Sequence, residues 1–472
     1  MGQEIDSSNF QQRDFEQFRL HLAAETRLLG EMLRDGKLEK SQPVAGYELE
    51  AWLIDARGNP APQNREFLQT LADPDVVAEL ATFNVELNGP PEPLTGNALS
   101  RLQHSLETNW LNCRHTAESL GLQLLALGIL PTIRPGDLSL ENMSQLKRYI
   151  ALNQQILRLR GGRPINLHIE GNEMLSLRHD DVMLESATTS FQIHLQVDER
   201  LAGRYYNAAK IASAAIVAVS ANSPFLFGRQ LWEETRIPLF EQAVSVGASD
   251  RTKRVSFGFR YVEESILEVF ESNLQRYPVL LPMLSDEDPQ KLSHLRLHNG
   301  TIWRWNRPLV GFNADGRAHL RIEHRVVPAG PTHVDQLANA AFFYGLVSAF
   351  ADAEIAPEAR LPFSACRSNF YSAAKEGMTA EVEWLDGERG DLRTLCLDVL
   401  LDQAQEGLNL LGIDHHEAAY YLDVIRQRLQ TGQTGAAWQK KWVDRHGTQW
   451  QELTLSYAEQ QQSAQPVHSW SL

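Results

Sequence analysis

The chain has 472 residues, of which 43% are hydrophobic and 22% charged. This is globular composition that excludes a disordered or fibrous protein and allows two or three domains, or one large one, at about 150 residues each. Asp and Glu number 60 against 44 Lys and Arg, a formal charge of −16 that repels a phosphate backbone, so no nucleic-acid partner is expected. Three widely spaced cysteines (Cys113, Cys366 and Cys396), without a CxxC, fit buried thiols in a reducing cytosol rather than a disulfide framework or a zinc finger.

The polar start, MGQEIDSSNF, lacks the order of a signal peptide, and Asp6 breaks the myristoylation pattern. Residues 9–35 carry apolar positions at helical spacing (Phe15, Phe18, Leu22, Leu29, Leu33) up to Gly36. A strand follows at Tyr47–Asp55, then helices near 74–83, 97–120 and 140–160, with strands near 84–88, 121–130 and 164–170 between them. Thr188–Val197 reads as a strand and 203–221 as a long apolar helix. Its apolar stretch, Ile211–Ala221, is about half of what spans a bilayer, so a cytoplasmic protein without a membrane partner is expected. Thr301–Asn313 and Arg317–Val327 flank Ala-Asp-Gly as a hairpin, and nearly everything after Thr332 reads as helix. Strands mixed with helices and a hairpin predict an α+β fold with a curved antiparallel sheet forming a cup and helices outside. The division expected is a catalytic domain over 1–385 and a helical extension over 386–472, with no composition shift to mark the boundary.

Side chains alternate across a strand. Opposite Tyr47, Leu49, Ala51 and Leu53 stand Glu48 and Glu50; Glu86 shares a side with Asn88, and Glu92 follows Gly-Pro-Pro. Ser190, Gln192, His194 and Gln196 back onto Phe191, Ile193, Leu195 and Val197. His319, Arg321, Glu323 and Arg325 back onto Leu320, Ile322 and Val326, with His324 an exception on that apolar side. One such polar face is ordinarily the solvated side of an antiparallel sheet. Carboxylates at i and i+2 repel unless a cation sits between them, however, and four strands repeat the pattern. Glu48, Glu50, Glu86, Glu92, His194 and Glu323 form a set of hard oxygen donors plus one imidazole, suited to Mg²⁺ or Mn²⁺ bound with phosphates. Arg321 and Arg325 interleave planar donors for a phosphate or a carboxylate.

In order along the chain, Gly46-Tyr47-Glu48-Leu49-Glu50, Glu86-Leu87 with Glu92-Pro93-Leu94-Thr95, Gly128 to Pro131, Arg148-Tyr149, Phe191 to Gln196, Ala221-Asn222-Ser223-Pro224 with Gly228, Thr301-Ile302-Trp303 and Arg321-Ile322-Glu323-His324-Arg325 resemble the glutamate–cysteine ligase family, in its type 2 and carboxylate–amine ligase branches. The resemblance spans roughly residues 44 to 350. It implies a glutamine-synthetase-like cup around ATP and divalent metal. Glu48, Glu50, Glu86 or Glu92, His194 and Glu323 would be metal ligands, Glu50, Gln196 and Arg148 would face the nucleotide, and Glu323, Arg321 and Arg325 would surround the transferring phosphoryl group. The implied reaction turns a carboxylate, typically the γ-carboxylate of glutamate, into an acyl phosphate that an amine such as cysteine attacks. The segment after Arg325, Val326 to Gly330, lacks the acidic residue many members carry there.

Other signals carry less. His415-His416-Glu417 is followed by Tyr420 where a zinc-protease helix needs a second His, and Gly161-Gly162 is a helix stop. The Trp- and Arg-rich stretch Gly300 to Pro308 reads equally as a packed hairpin strand and as an acidic-substrate surface. Two further activities fit the same residues: a metal-dependent amide hydrolase or deamidase, and a non-catalytic nucleotide or amino-acid sensor. Partners are small molecules, and a homo-oligomer is allowed.

Overall fold

The computed structural model describes residues 4–40, 42–246 and 253–472; the first three residues of the polar start lie outside them. Fourteen strands are found among the described residues. In chain order they are β1 (Val44–Ile54), β2 (Val76–Ala78), β3 (Asn84–Asn88), β4 (Glu92–Pro93), β5 (Gln123–Leu125), β6 (Ile165–Glu170), β7 (Met174–His179), β8 (Phe191–Val197), β9 (Phe225–Leu226), β10 (Arg229–Gln230), β11 (Asn306–Phe312), β12 (Ala318–His324), β13 (Glu381–Glu383) and β14 (Arg389–Asp391). Eight of them make one curled antiparallel sheet in the order β11-β12-β8-β1-β3-β2, with β4 and β5 also paired to the long strand β1. The fold is thus α+β, as the alternating pattern predicts.

The apolar side of this sheet is covered by the helices Ala202–Ser220 and His333–Asp352. Both are nearly all buried, because small residues let them lie close to the sheet and to their neighbours. Where the helix Leu401–Leu410 crosses His333–Asp352, a Cβ on Gly407 would stand 1.8 Å from the Gly345 carbonyl, so only glycine admits the crossing. The hydrophobic core runs without interruption from Phe18 through the sheet to Trp438 and Trp470 in the C-terminal helices. Among the described residues no helix is long and apolar enough to cross a membrane.

Two expected elements differ. Residues 74–83 hold the short strand β2 rather than a helix, because Asp73-Pro74-Asp75 turns the chain and Val76-Val77 favours the pleat; the helix lies earlier, at Asn64–Leu71. The strand after Asn64–Leu71 therefore pairs with β3. Residues 121–130 keep only β5 as strand. The discounted motifs are structural. Asp414 caps the helix His415–Thr431, and Glu417 accepts the backbone N–H groups of Leu99 and Ser100 at 3.2 and 3.1 Å, capping a second helix. His324 is a core residue, stacked on Phe343 and hydrogen-bonded to Asn306 at 2.7 Å. All three cysteines are buried and free.

Candidate active site

Register turns the polar face of each strand into rows that cross the sheet. Glu323 on β12 lies opposite His194 on β8, and His194 opposite Gly46 on β1. One pleat along, Gln192 lies opposite Glu48, and Glu48 opposite Asn88. Further on, Glu50 on β1 stands directly opposite Glu86 on β3. At the other edge Arg307 on β11 is opposite Glu323, and Arg321 opposite Gln196.

Two groups of donors converge from these rows: Glu48, His194 and Glu323, and Glu50, Glu79 and Glu86, each with ligand atoms within 4.8 Å of one another. His194 Nε2 is 3.3 Å from Glu48 Oε1. Glu323 lies between two guanidiniums. Arg307 grips it in bidentate fashion, Nε to Oε2 at 2.9 Å and Nη2 to Oε1 at 2.8 Å, while Arg325 Nη1 donates to Oε2 at 3.1 Å and to Gln192 Oε1 at 2.5 Å. Glu50 accepts the Ser190 backbone N–H at 2.7 Å and Gln192 Nε2 at 2.9 Å. Arg148, at the start of the helix Lys147–Leu159, donates to the Tyr149 hydroxyl at 2.8 Å and the Ala78 carbonyl at 3.3 Å, beside Glu79.

These groups front a cavity of about 240 Å³. Its lining combines charged side chains, among them Glu48, Glu79, Glu323, Arg148, Arg307 and Arg321, with apolar ones, among them Leu152, Ile156, Val182, Phe240 and Trp303. A mixed lining of this kind suits a ligand with both charged and flat apolar parts.

The electrostatics divide the carboxylates. Burial works to raise every one of them. At Glu323 the charges of Arg307 and Arg325 outweigh burial and hold the carboxyl at about 2, and at Glu48 the charge of His194 outweighs burial and holds the carboxyl well below the usual carboxylate range. Burial wins at the second group. Glu50 and Glu79 are pushed up to about 7, Glu50 against the pull of Arg325 and Glu79 with Glu50 beside it. Glu86 rises to about 8, with Glu48 adding to its burial, and so does Glu185, which faces Glu50. Glu48 Oε2 and Glu79 Oε1 are buried without a hydrogen-bond partner. Buried carboxylates crowded in this way, with unsatisfied oxygens, fit hard divalent cations by donor type and charge.

The family model of glutamate–cysteine ligase family 2 matches residues 44–459. The chain belongs to that family. As a member of glutamate–cysteine ligase family 2 it is a carboxylate–amine ligase, an enzyme that forms a C–N bond. Two of the solved structures similar to it are, by name, ligases of small molecules. A glutamate–cysteine ligase from Francisella tularensis, in complex with AMP, has a TM-score of 0.59 and 12% identity over 92% of this chain and 91% of that one. A bifunctional glutathione synthetase from Pasteurella multocida has a TM-score of 0.57 and 11% identity over 93% of this chain and 54% of that one. Identities this low speak for a shared fold. No curated protein sequence matches.

Most of the residues singled out from the sequence of this family member are brought together: Glu48, Glu50, Glu86, His194 and Glu323 in the two donor groups, with Arg325 bound to Glu323, while Glu48, Glu323, Arg148 and Arg321 line the cavity. Arg321 Nε is buried without a hydrogen-bond partner. Gln196 is buried one pleat farther along, across from Arg321. Glu92 is a correction. β4 pairs it with Ala45, which shares the side of Tyr47 and Leu49, and it forms an ion pair with Arg101 at 2.6 Å outside both donor groups. Its place in the donor set is taken by Glu79, just after β2, which sequence reasoning passes over because residues 74–83 read as helix. Arg307 and Glu185 are also additions. Arg307 belongs to the Trp- and Arg-rich stretch, whose Trp305 is packed in the core while Trp303 faces the cavity.

Proposed function

We propose that this enzyme uses ATP to activate the γ-carboxylate of glutamate as an acyl phosphate and joins it to an amine, cysteine in the first instance, as in glutathione biosynthesis. The observation that carries this reading is the crossed row of carboxylates and guanidiniums on one sheet face, fronting a cavity whose lining also holds apolar side chains. Glu48, His194 and Glu323 would hold one divalent cation, and Glu50, Glu79 and Glu86 another, Mg²⁺ or Mn²⁺. Such cations, when bound, screen the phosphate oxygens and draw charge from the group in transfer.

The side chains supply position and charge, the main needs of phosphoryl transfer. Arg325 is fixed by Glu323 and Gln192, and although burial opposes its charge, Glu323 and Glu50 keep it protonated; it faces the equatorial oxygens of the moving phosphoryl group. Arg321 and Arg148 orient the carboxylate and phosphate ends of the substrates. The apolar wall from Leu152 to Phe240 receives the adenine ring and keeps water from the acyl phosphate. AMP in the similar Francisella tularensis ligase supports a nucleotide here. The substrate carboxylate attacks the γ-phosphorus as ADP leaves, and the deprotonated amine then attacks the acyl carbon as phosphate leaves. No enzyme nucleophile is required.

The test is phosphate release from Mg-ATP with L-glutamate and a panel of amines including cysteine, with Glu48→Gln as control. Amine-dependent release that the variant lacks is expected. Metal-dependent amide cleavage without ATP would replace this reading by a hydrolase, and Mg-ATP binding without turnover under any amine would replace it by a sensor.

A further inference from the structure

A second, smaller cavity, of about 160 Å³, lies away from the sheet face, between the helices Ala202–Ser220 and Leu267–Arg276 and the segment 258–262. Its wall is built around two cations that are almost wholly buried: Lys210 is 1% exposed and Arg304 5%. Among the described residues neither is ion-paired with a carboxylate. Lys210 Nζ donates to the Phe257 carbonyl at 2.6 Å and lies over the rings of Tyr206, Phe257 and Phe363 at 4.7 to 5.7 Å. Arg304 donates to Asn273 Oδ1 at 2.8 Å and interacts with the hydroxyls of Tyr206 and Tyr277, while its Nε is buried without a partner. Arg260 and Arg276 stand exposed on the same wall. Two carboxylates also line it. Glu268 is taken up by Arg260 Nη2 at 2.7 Å and by the backbone N–H groups of residues 263–265, and Glu271 is exposed.

Buried charges are ordinarily paired, and aromatic faces offset only part of the desolvation of an ammonium. Here the backbone is shaped around the charge. Gly258 has a φ of +99°, and a Cβ on it would stand 2.8 Å from Lys210 Nζ. The fold thus holds two desolvated cations beside an open, polar-walled space. We infer that this cavity is a binding site for a small oxyanion, a phosphate or a short dicarboxylate, held by Lys210 and Arg304 and admitted past Arg260 and Arg276. It is independent of the ligase reading.

The neighbouring chain gives such a site a route to the sheet cavity. Thr301, Trp303 and Arg307 line the sheet cavity while Arg304 lines this one, so one short segment carries both walls.

The experiment is titration calorimetry with inorganic phosphate and, separately, with succinate, on the full chain and on Lys210→Met, Arg304→Met and Arg321→Met. Lys210→Met removes the buried ammonium at nearly constant length, and Arg304→Met removes the second cation lining the cavity; a thermal midpoint measured for each variant reports whether it folds. Saturable binding of at least one anion is expected, weakened tenfold or more in Lys210→Met and in Arg304→Met and retained in Arg321→Met. Stronger binding of phosphate than of succinate would identify the oxyanion as phosphate, and the reverse order as a carboxylate. No saturable binding of either anion would overturn the inference. So would equal affinity in wild type and whichever of the two cation variants folds, or loss of binding in Arg321→Met alone, which would assign the anion to the sheet cavity.

Discussion

Arg307→Met tests the electrostatic reading of the sheet face most directly. Glu323 is 1% exposed, and two of its three hydrogen bonds to guanidiniums come from Arg307, itself 4% exposed. Removing one partner of a buried ion pair leaves an uncompensated charge and costs about 3–5 kcal/mol. Arg325 still holds one oxygen at 3.1 Å, so the lower end, about 3 kcal/mol, applies here. Part of that loss is specific to the pair. In Arg307→Met/Glu323→Leu no carboxylate is stranded, and a double-mutant cycle should return a coupling of at least about 2 kcal/mol. Urea unfolding of the four proteins, followed by tryptophan fluorescence, measures it. The double variant would be better folded than Arg307→Met yet inactive, because it lacks Glu323. A single-variant loss below about 1 kcal/mol, or a coupling near zero, would refute the claim that Glu323 depends on Arg307 for its charge.

Three further outcomes are expected. Glu79→Gln should raise the Mg²⁺ concentration for half-maximal activity tenfold or more, whereas Glu92→Gln should leave it unchanged; the opposite ranking would restore Glu92 to the site. Burial, with the charge of Arg254, pulls His298 down to about 4, against the pull of the Asn273 carbonyl. The folded chain therefore refuses a proton that the unfolded chain accepts, so stability is complete above about pH 6.5 and declines by up to about 3 kcal/mol as pH falls towards 4. Comparing urea midpoints of wild type and His298→Gln across that range checks this, and parallel curves would disprove it. Finally, burial raises Cys113 and Cys366 to about 12 and raises Cys396 as well. A thiol reagent should thus label none of the three until denaturant is added, and rapid labelling in native buffer would contradict their burial.

How far the site could be read from the chain depended on strand length. β1, β8 and β12 run for seven residues or more, enough for a period of two to separate Glu48, Glu50, His194 and Glu323 from their apolar neighbours. β2 has three residues, too few for any period, and the turn before it made a helical reading equally natural; Glu79 was lost with it. Glu92 failed for a related reason. The parity of side chains cannot be carried across Gly-Pro-Pro, so its side of the sheet stayed open until β4 was seen paired with Ala45. Arg307 was visible as a basic residue, but its partner is fixed by cross-strand register, which no local pattern contains.

The same limit explains why the Ala221-Asn222-Ser223-Pro224 motif, conspicuous in the chain, lies outside the donor rows. Its work is at the backbone that follows Arg325. Asn222 Nδ2 donates to the Ala329 carbonyl at 2.7 Å and to the Tyr457 hydroxyl at 2.8 Å, while Gln439 donates to Asn222 Oδ1 at 3.1 Å. Arg236, ion-paired with the buried Glu234, reaches the Arg325 and Val326 carbonyls at 3.3 and 3.2 Å. Tyr457 and Gln439 belong to the helices Trp450–Gln462 and Gly435–His446, and a Cβ on Gly435 would stand 1.9 Å from Asn222 Oδ1. Residues more than a hundred positions beyond Arg325 therefore hold the exit of its strand. In the proposed function Arg325 meets a short-lived phosphoryl geometry, which requires it to be held to within a fraction of an ångström, and that rigidity comes from satisfied hydrogen bonds around it rather than from the guanidinium itself. The C-terminal helices thus belong to the machinery of the cup, through the backbone they fix.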